Sequence, residues 1–460
     1  MRFIEALEPI YSSLPEVKPP ETEPTLKKKL LYSLIALVLY FIMASVTLIA
    51  LEASTAQALM GLQEIIASNI GTLVTAGIGP IVIASLILQL MVGARILNID
   101  LTDPKDRARF QGLQKLFAIV LSFFEGFVYA YSGLLTPVGG VSLANPNLYI
   151  VVTQVAMGSI ILLYLDEMVG RYGIGSGIGW FIAGGVSASI AWQLLNPTDQ
   201  FAHAVLNPAN LTATENIIAL ITLVLIFLIV SYALAMHVNI PITLGQRGLG
   251  GRYPVKLLYV SVIPVILTAA LFANVRMWAT ITQGNPIIGP PMEMLAWATG
   301  SPTSFQQDGV FNLLPRIIQQ VGAGGIQALG EMHMQILQGT VYLILFTILC
   351  VLFGIMWVKM GSQGPEDIAN QLEASGMYIP GFRRDKRIVV KILNKYIPPI
   401  AILGSIFVGL LAAFGNMALG TLGSGTGILL TVDILYRIYT ELAQQQFMEA
   451  YPMLRRFLGR

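Results

Sequence analysis

Few residues in this chain could do covalent or metal chemistry, and their spacing argues against it. Ser176 and Ser424 sit in glycine-rich turns, IGSGIG at Ile174–Gly179 and LGSGTG at Leu422–Gly427. A serine nucleophile needs a base within hydrogen-bond reach and donors for the oxyanion. A GxSxG elbow would place glycine two residues before the serine, whereas Ile174 and Leu422 stand there. His203, His237 and His333 are scattered, and the single cysteine, Cys350, lies inside an apolar run. This pattern builds neither a metal cluster nor a disulfide framework. GIGSGIG at Gly173–Gly179 also misses the dinucleotide fingerprint, because Ile178 occupies the last glycine's place. No enzyme activity, metal or cofactor is expected.

Glycine alternating with isoleucine serves another purpose: it lets helices approach closely and aims isoleucines into a narrow space. The points where helical pattern breaks carry Ile78, Val82, Ile174, Ile178, Ile266 and Leu422. An apolar constriction gates by excluding water, whereas ion selectivity needs carbonyl or charged rings. Glu125 lies roughly 15 Å along a helix from Lys115. That puts it near mid-membrane, a functional candidate by position or a carboxyl hydrogen-bonded between helices. A coupled transporter, the alternative reading, would use Glu125 and Asp433 as coupling sites, and would be expected to carry several such groups near the breaks.

The elements that must position these residues are membrane helices. The chain has 460 residues, of which 55% are apolar and only 11% charged, with mean hydropathy +0.71; soluble domains carry about 25% charge. Ten apolar stretches have spanning length: Leu30–Leu51, Gly77–Leu97, Leu116–Leu135, Leu148–Leu165, Ile174–Leu195, Ile217–Met236, Leu257–Val275, Gly339–Val358, Ile397–Phe414 and Leu422–Ile438. Between the first two, Ala56–Asn69 is half polar and reads as a short re-entrant helix. Gly71, Gly77, Gly79 and Pro80 then bend the chain. Irregular backbone at membrane depth survives only inside protein or beside water.

Lysine and arginine set the orientation. Of the 27, 25 fall in alternate loops or at their flanks, leaving only Arg276 and Arg316 on the other side. The positive-inside rule places both termini in the cytoplasm. Two basic cytoplasmic loops stand out: GQRGLGGRYPVK at Gly245–Lys256, and the long Gly364–Lys395 loop with Arg383, Arg384, Lys386 and Arg387. Such a cluster suits a phosphate-rich surface. Residues 1–26 read as an N-terminal cytoplasmic segment in which Phe3, Leu7, Ile10 and Leu14 recur at helical spacing. That helix lies on the membrane or on the protein's own loops. A weak repeat divides the rest into 27–210 and 211–443, followed by a tail at 444–460: IGSGIG echoes LGSGTG, and IGPIVI (Ile78–Ile83) echoes VIPVIL (Val262–Leu267). Five spans per half make the copies inverted, with the site at their interface.

IGTLVTAGIGPIV (Ile70–Val82), YLDEMVGRYGIGSGIG (Tyr164–Gly179), GRYPVKLLYVSVIPVIL (Gly251–Leu267), GFRRDKR (Gly381–Arg387), KYIPP (Lys395–Pro399) and LGSGTGILLTVDILYRIY (Leu422–Tyr439) occur in order and at matching spacing. In these motifs, and along nearly its whole length, the chain resembles the SecY family, the large subunits of Sec protein-translocation channels, most closely the archaeal members. The resemblance implies an all-α protein of ten helices in two inverted five-helix halves around an hourglass pore. Ile78, Val82, Ile174, Ile178, Ile266 and Leu422 would form its apolar ring, with Ile263 close by. Residues 56–69 would be a plug, and the lateral gate would open between the second and third spans on one side and the seventh and eighth on the other. Glu125 and Asn274 match the gate's polar cluster, from which Ile83 departs by lacking a hydroxyl. Arg247, Arg252, Arg383 and Arg384 would dock the ribosome or a driving ATPase. A SecE-type subunit, a small peripheral Sec subunit, signal sequences, nascent chains and lipid are the further partners implied. The location implied is the cell membrane.

Overall fold

The computed structural model describes residues 8–22, 24–52, 70–93, 96–97, 99, 103–195, 211–244, 249–282, 286–302, 326–360, 363–374, 377–378, 386–419 and 423–450. It divides into two compact units, Met1–Ser189 with Leu430–Arg460, and Ile190–Leu429. The helices are α1 (Leu26–Ser45), α2 (Gly79–Gly93), α3 (Pro104–Tyr131), α4 (Pro146–Tyr172), α5 (Gly177–Leu195), α6 (Leu211–Ala235), α7 (Ile263–Thr282), α8 (Gly289–Thr299), α9 (Ile326–Met360), α10 (Pro365–Ala374), α11 (Lys386–Ala418) and α12 (Gly425–Ala450). A helix lies on each of the ten apolar stretches. Among the described residues seven helices, α1, α3, α4, α5, α6, α9 and α11, contain stretches long and apolar enough to cross a membrane; α2 and α7 carry shorter apolar stretches. The protein is a multi-pass membrane protein.

In the first unit, α3 and α4 start on matching caps. Asp103 Oδ1 accepts the Lys105 N–H at 3.1 Å and Asn145 Oδ1 that of Asn147 at 3.0 Å, each with proline as first helical residue. These caps satisfy donors that a helix start leaves open. The first apolar stretch departs from its expected length: α1 stops at Ser45 rather than running to Leu51. The next residues leave the helix: Val46 is extended, and Ala50 takes a left-handed turn with φ +67°. Thr47 bridges Thr72, and Leu51 bridges Pro137. Leu48 N–H donates to Gly71 O at 2.9 Å, and Leu73 N–H to Val46 O at 3.0 Å. Gln154 of α4 bonds both the N–H and the C=O of Ile49. The two flanks of residues 53–69 are therefore tied together; the expected plug, 56–69, lies outside the described residues.

The described part of the N-terminal segment packs on the protein itself. Tyr11 joins a cluster with Leu88, Phe110 and Leu113. Lys115 Nζ donates to Pro15 O at 3.0 Å and pairs with Glu167 at 2.8 Å, and Arg171 bridges Glu16 and Glu167.

In the second unit, α9 and α11 approach through small residues. A Cβ added at Gly354 would lie 2.0 Å from Ser405 Oγ, and one at Gly409 would lie 3.0 Å from Cys350 Cβ. Association in lipid rests on such close packing, because lipid tails are as apolar as the helix faces.

One connection between helices is made of strands. Residues 237–256, read as helix end and loop, form an antiparallel hairpin of β1 (His237–Leu244) and β2 (Leu249–Lys256), with His237 opposite Lys256 and Leu244 opposite Leu249. β3 (Met377–Tyr378) adds on the other side of β1. The sheet stands on a core in which Ile240 and Val255 meet Ile368 and Leu372 of α10 and Leu393 and Ile397 of α11. Burying that apolar face favours the hairpin over a solvated loop.

Candidate functional site

The bend that carries Ile78 is built from threonines and glycines. Thr75 Oγ1 donates to Thr72 O at 2.5 Å and accepts from Thr72 N–H at 3.1 Å. Gly71 and Gly77 have φ of +82° and +54°, which side chains rarely adopt. Ser159 of α4 donates to Gly77 O at 3.0 Å. Beside it, a Cβ at Gly158 would come within 1.7 Å of Leu73 O, so only glycine lets α4 lie this close. The Ile78 carbonyl then accepts from Ile81 and Val82 N–H at 3.1 and 3.0 Å, which opens α2. Ile78 is 1% exposed; Val82 is half-buried.

The turn into α5 carries Ile174 and Ile178. Gly173 N–H closes α4 on Val169 O at 2.7 Å. Ile174 N–H is taken by Ser33 Oγ of α1 at 3.0 Å, and Ile174 O receives Trp180 Nε1–H at 2.8 Å. Ser176 is the N-cap of α5, accepting Gly179 N–H at 3.1 Å. Asp166, in the preceding helix, accepts Ile178 N–H at 2.9 Å. A carboxylate near a helix C-terminus opposes that helix's dipole but favours the N-terminus it faces. Gly177 allows the contact, since a Cβ there would lie 2.6 Å from Asp166 Cα. Ile174 is 1% exposed and Ile178 half-buried.

In the second unit, Ile266 lies in the first turn of α7, its N–H on Val262 O at 3.2 Å, and is half-buried. Leu422 lies outside the described residues, but the turn after it is clear. Ser424 Oγ accepts Gly427 N–H at 3.0 Å, and Asn416 Oδ1 of α11 accepts Thr426 N–H at 3.0 Å. Asn416 Nδ2 donates to Tyr342 OH and to Thr426 Oγ1, both at 2.9 Å. Tyr342 belongs to an aromatic cluster with Phe272 and Phe346. A Cβ at Gly425 would lie 2.4 Å from Gly415 Cα.

Of the two expected gate residues, Glu125 is 7% exposed on α3 in the first unit. Asn274 lies on α7 in the second, its Nδ2 on Ala270 O at 2.8 Å. Of the docking arginines, Arg247, Arg383 and Arg384 lie outside the described residues; Arg252 is on β2, opposite Pro241. The sheet nonetheless joins their two segments, because Leu244 of β1 pairs with both Leu249 and Met377. The Tyr259 hydroxyl donates to Gln363 O at 2.8 Å.

Reading the sequence missed Ser33, Asp166 and Asn416. Asp166 stood inside a quoted motif, yet nothing in its spacing tied it to the turn. Among the described residues no group of three or more His, Cys, Asp or Glu side chains could hold a metal ion.

Comparison with known proteins follows the same outline. The SecY family model matches residues 72–439. The protein translocase subunit SecY of Methanothermobacter thermautotrophicus is 39% identical over 477 residues, covering 99% of each chain. That of Methanocaldococcus jannaschii is 41% identical over 463 residues, covering 98% of this chain and 99% of its own. Among solved structures, a protein-conducting channel aligns with TM-score 0.78 at 39% identity, over 97% of this chain and 98% of that one. Sec61 in the canine ribosome–channel complex of the endoplasmic reticulum aligns with TM-score 0.76 at 38% identity, over the same shares. On a match that runs from the bend before Ile78 to the end of the LGSGTGILLTVDILYRIY motif, the chain belongs to the SecY family.

Proposed function

We propose that this chain is the central, pore-forming subunit of a channel that moves unfolded polypeptides across the cell membrane and releases apolar segments sideways into lipid. One observation carries the reading. The bends before α2 and α5 hold buried isoleucines, Ile78 and Ile174, on backbone pinned by side-chain hydrogen bonds. A ring of Ile78, Val82, Ile174, Ile178, Ile266 and Leu422 offers a passing chain no polar ligand and closes by dewetting. The ten helices act as two inverted halves, with residues 56–69 as plug. Glu125 and Asn274 set the polarity of a lateral gate, so that a signal segment of about 20 apolar residues opens it by partitioning into lipid.

Both termini face the cytoplasm. Arg247, Arg252, Arg383 and Arg384 dock the ribosome there, a reading supported by the pairing of β1 with both β2 and β3 and by the likeness to a ribosome-bound Sec61. A SecE-type subunit and a small peripheral Sec subunit complete the complex. The transporter alternative is weakened because Asp433 pairs with Arg437 at 3.0 Å, a structural use of its charge.

The test is a photoreactive probe at Ile78 or Ile174 in an assembled, ribosome-engaged complex holding a stalled secretory chain. An adduct with that chain is expected; its absence in the assembled complex would sink the proposal.

A further inference from the structure

We infer that Asp166 and Ser33 are positioning residues for the constriction, holding the backbone of Ile178 and Ile174 so that the ring seals; this rests on the ring reading above. A polar side chain packed among apolar helices is normally hydrogen-bonded; Ser33 is buried and Asp166 half-buried, and both accept from one turn. Ser33 is fully buried on α1 and takes Ile174 N–H at 3.0 Å while donating to Lys29 O at 3.2 Å. Asp166 Oδ1 takes Ile178 N–H at 2.9 Å. Ile178 N–H is one of the first-turn donors of α5, which an α-helix leaves open, and Ile174 N–H lies past the end of α4.

A second, independent observation is the recurrence of the device. In the other unit Thr426, the counterpart of Ile178 in the repeat, gives its N–H to Asn416 Oδ1 at 3.0 Å. In both turns a serine caps the residue after, and a glycine packs on the capping residue's helix. The side chains differ in charge, so what the two turns share is an acceptor at a fixed place. Without it the first turn of α5 frays, Ile178 moves with it, and a ring that excludes water by contact alone opens a wet path. The residues touch no substrate; they act through the isoleucines.

Resting ion conductance of the complex, reconstituted with its membrane partners in a planar bilayer, tests this with four variants. Ile178→Ser should leak, as the ring reading requires. Asp166→Ala should raise resting conductance about fivefold, the scale of a lost helix cap, and Ser33→Ala should do so to a smaller degree. Asp166→Asn keeps an oxygen acceptor and should stay within about twofold of the parent, a rescue that a merely space-filling role would not discriminate. If Ile178→Ser leaks while Asp166→Ala and Ser33→Ala conduct like the parent, the positioning role is overturned and the ring stands. If Ile178→Ser itself stays tight, the ring reading fails and the positioning role falls with it. Should Asp166→Ala not assemble, Ser33→Ala decides alone: parent-like conductance there overturns the inference.

Discussion

The turn into α5 and the turn into α12 solve one problem with different chemistry. Each follows a long helix, each starts IGSG or LGSG, and each caps its helix with serine on the third N–H and an acceptor from the previous helix on the second. In the first the acceptor is a carboxylate, Asp166, bonding the backbone it faces. In the second it is an amide, Asn416, whose other end donates to Tyr342 and Thr426. A charge taken partly out of water is costly unless hydrogen-bonded, and half-buried Asp166 meets this with N–H groups at a positive helix end. Asn416 needs no counter-charge and instead ties three elements together. The shared geometry is what a repeat preserves; the second role of Asn416 is what the second unit adds.

Four sets of substitutions press on this likeness, read as thermal midpoints of the purified complex in detergent. Largest should be Gly177→Val and Gly425→Val, each driving a side chain into backbone and costing about 1–3 kcal/mol or more. A loss at one site only would make the resemblance superficial. Asn416→Ala follows at about 1–3 kcal/mol, because it strands Thr426 N–H and removes the Tyr342 partner. A value no greater than that of Ser424→Ala would deny Asn416 its second role. Ser176→Ala and Ser424→Ala should each cost about 1 kcal/mol and match one another; unequal values would break the equivalence of the caps. Smallest is Asp166→Asn, at no more than about 0.5 kcal/mol, since relief of a partly desolvated charge offsets the lost charge–dipole attraction. A large loss there would show that charge, not acceptance, is what the first turn needs.

Much of this architecture was legible in the sequence because membrane helices need about 20 apolar residues and little else. The errors have particular causes. Val46–Leu51 is apolar enough to extend α1, yet hydrogen bonds with Gly71, Leu73, Val138 and Gln154 hold it out of the helix. HVNIPITL and LGGRYPVK lack a clean alternation, with Pro241 and Pro254 inside them; only the core under Ile240 and Val255 makes them strands. α11 starts at Lys386 and runs through Pro398 and Pro399, where proline usually marks a helix boundary. At the site, the apolar residues at the breaks were readable by type, and so was the glycine–serine repeat. Their acceptors were not, because Asp166 lies 12 residues from Ile178 and Asn416 lies 10 from Thr426, across a turn whose path no local pattern encodes.

The central claim, that an apolar constriction seals a path for polypeptides, is tested most directly by one measurement. Ile78, Val82 and Ile174 are replaced together by serine, and resting ion conductance is compared with the parent complex at equal reconstitution. The account predicts a raised resting leak, because a polar ring no longer dewets. A variant that assembles, still translocates a secretory chain and shows the parent's resting conductance would contradict it.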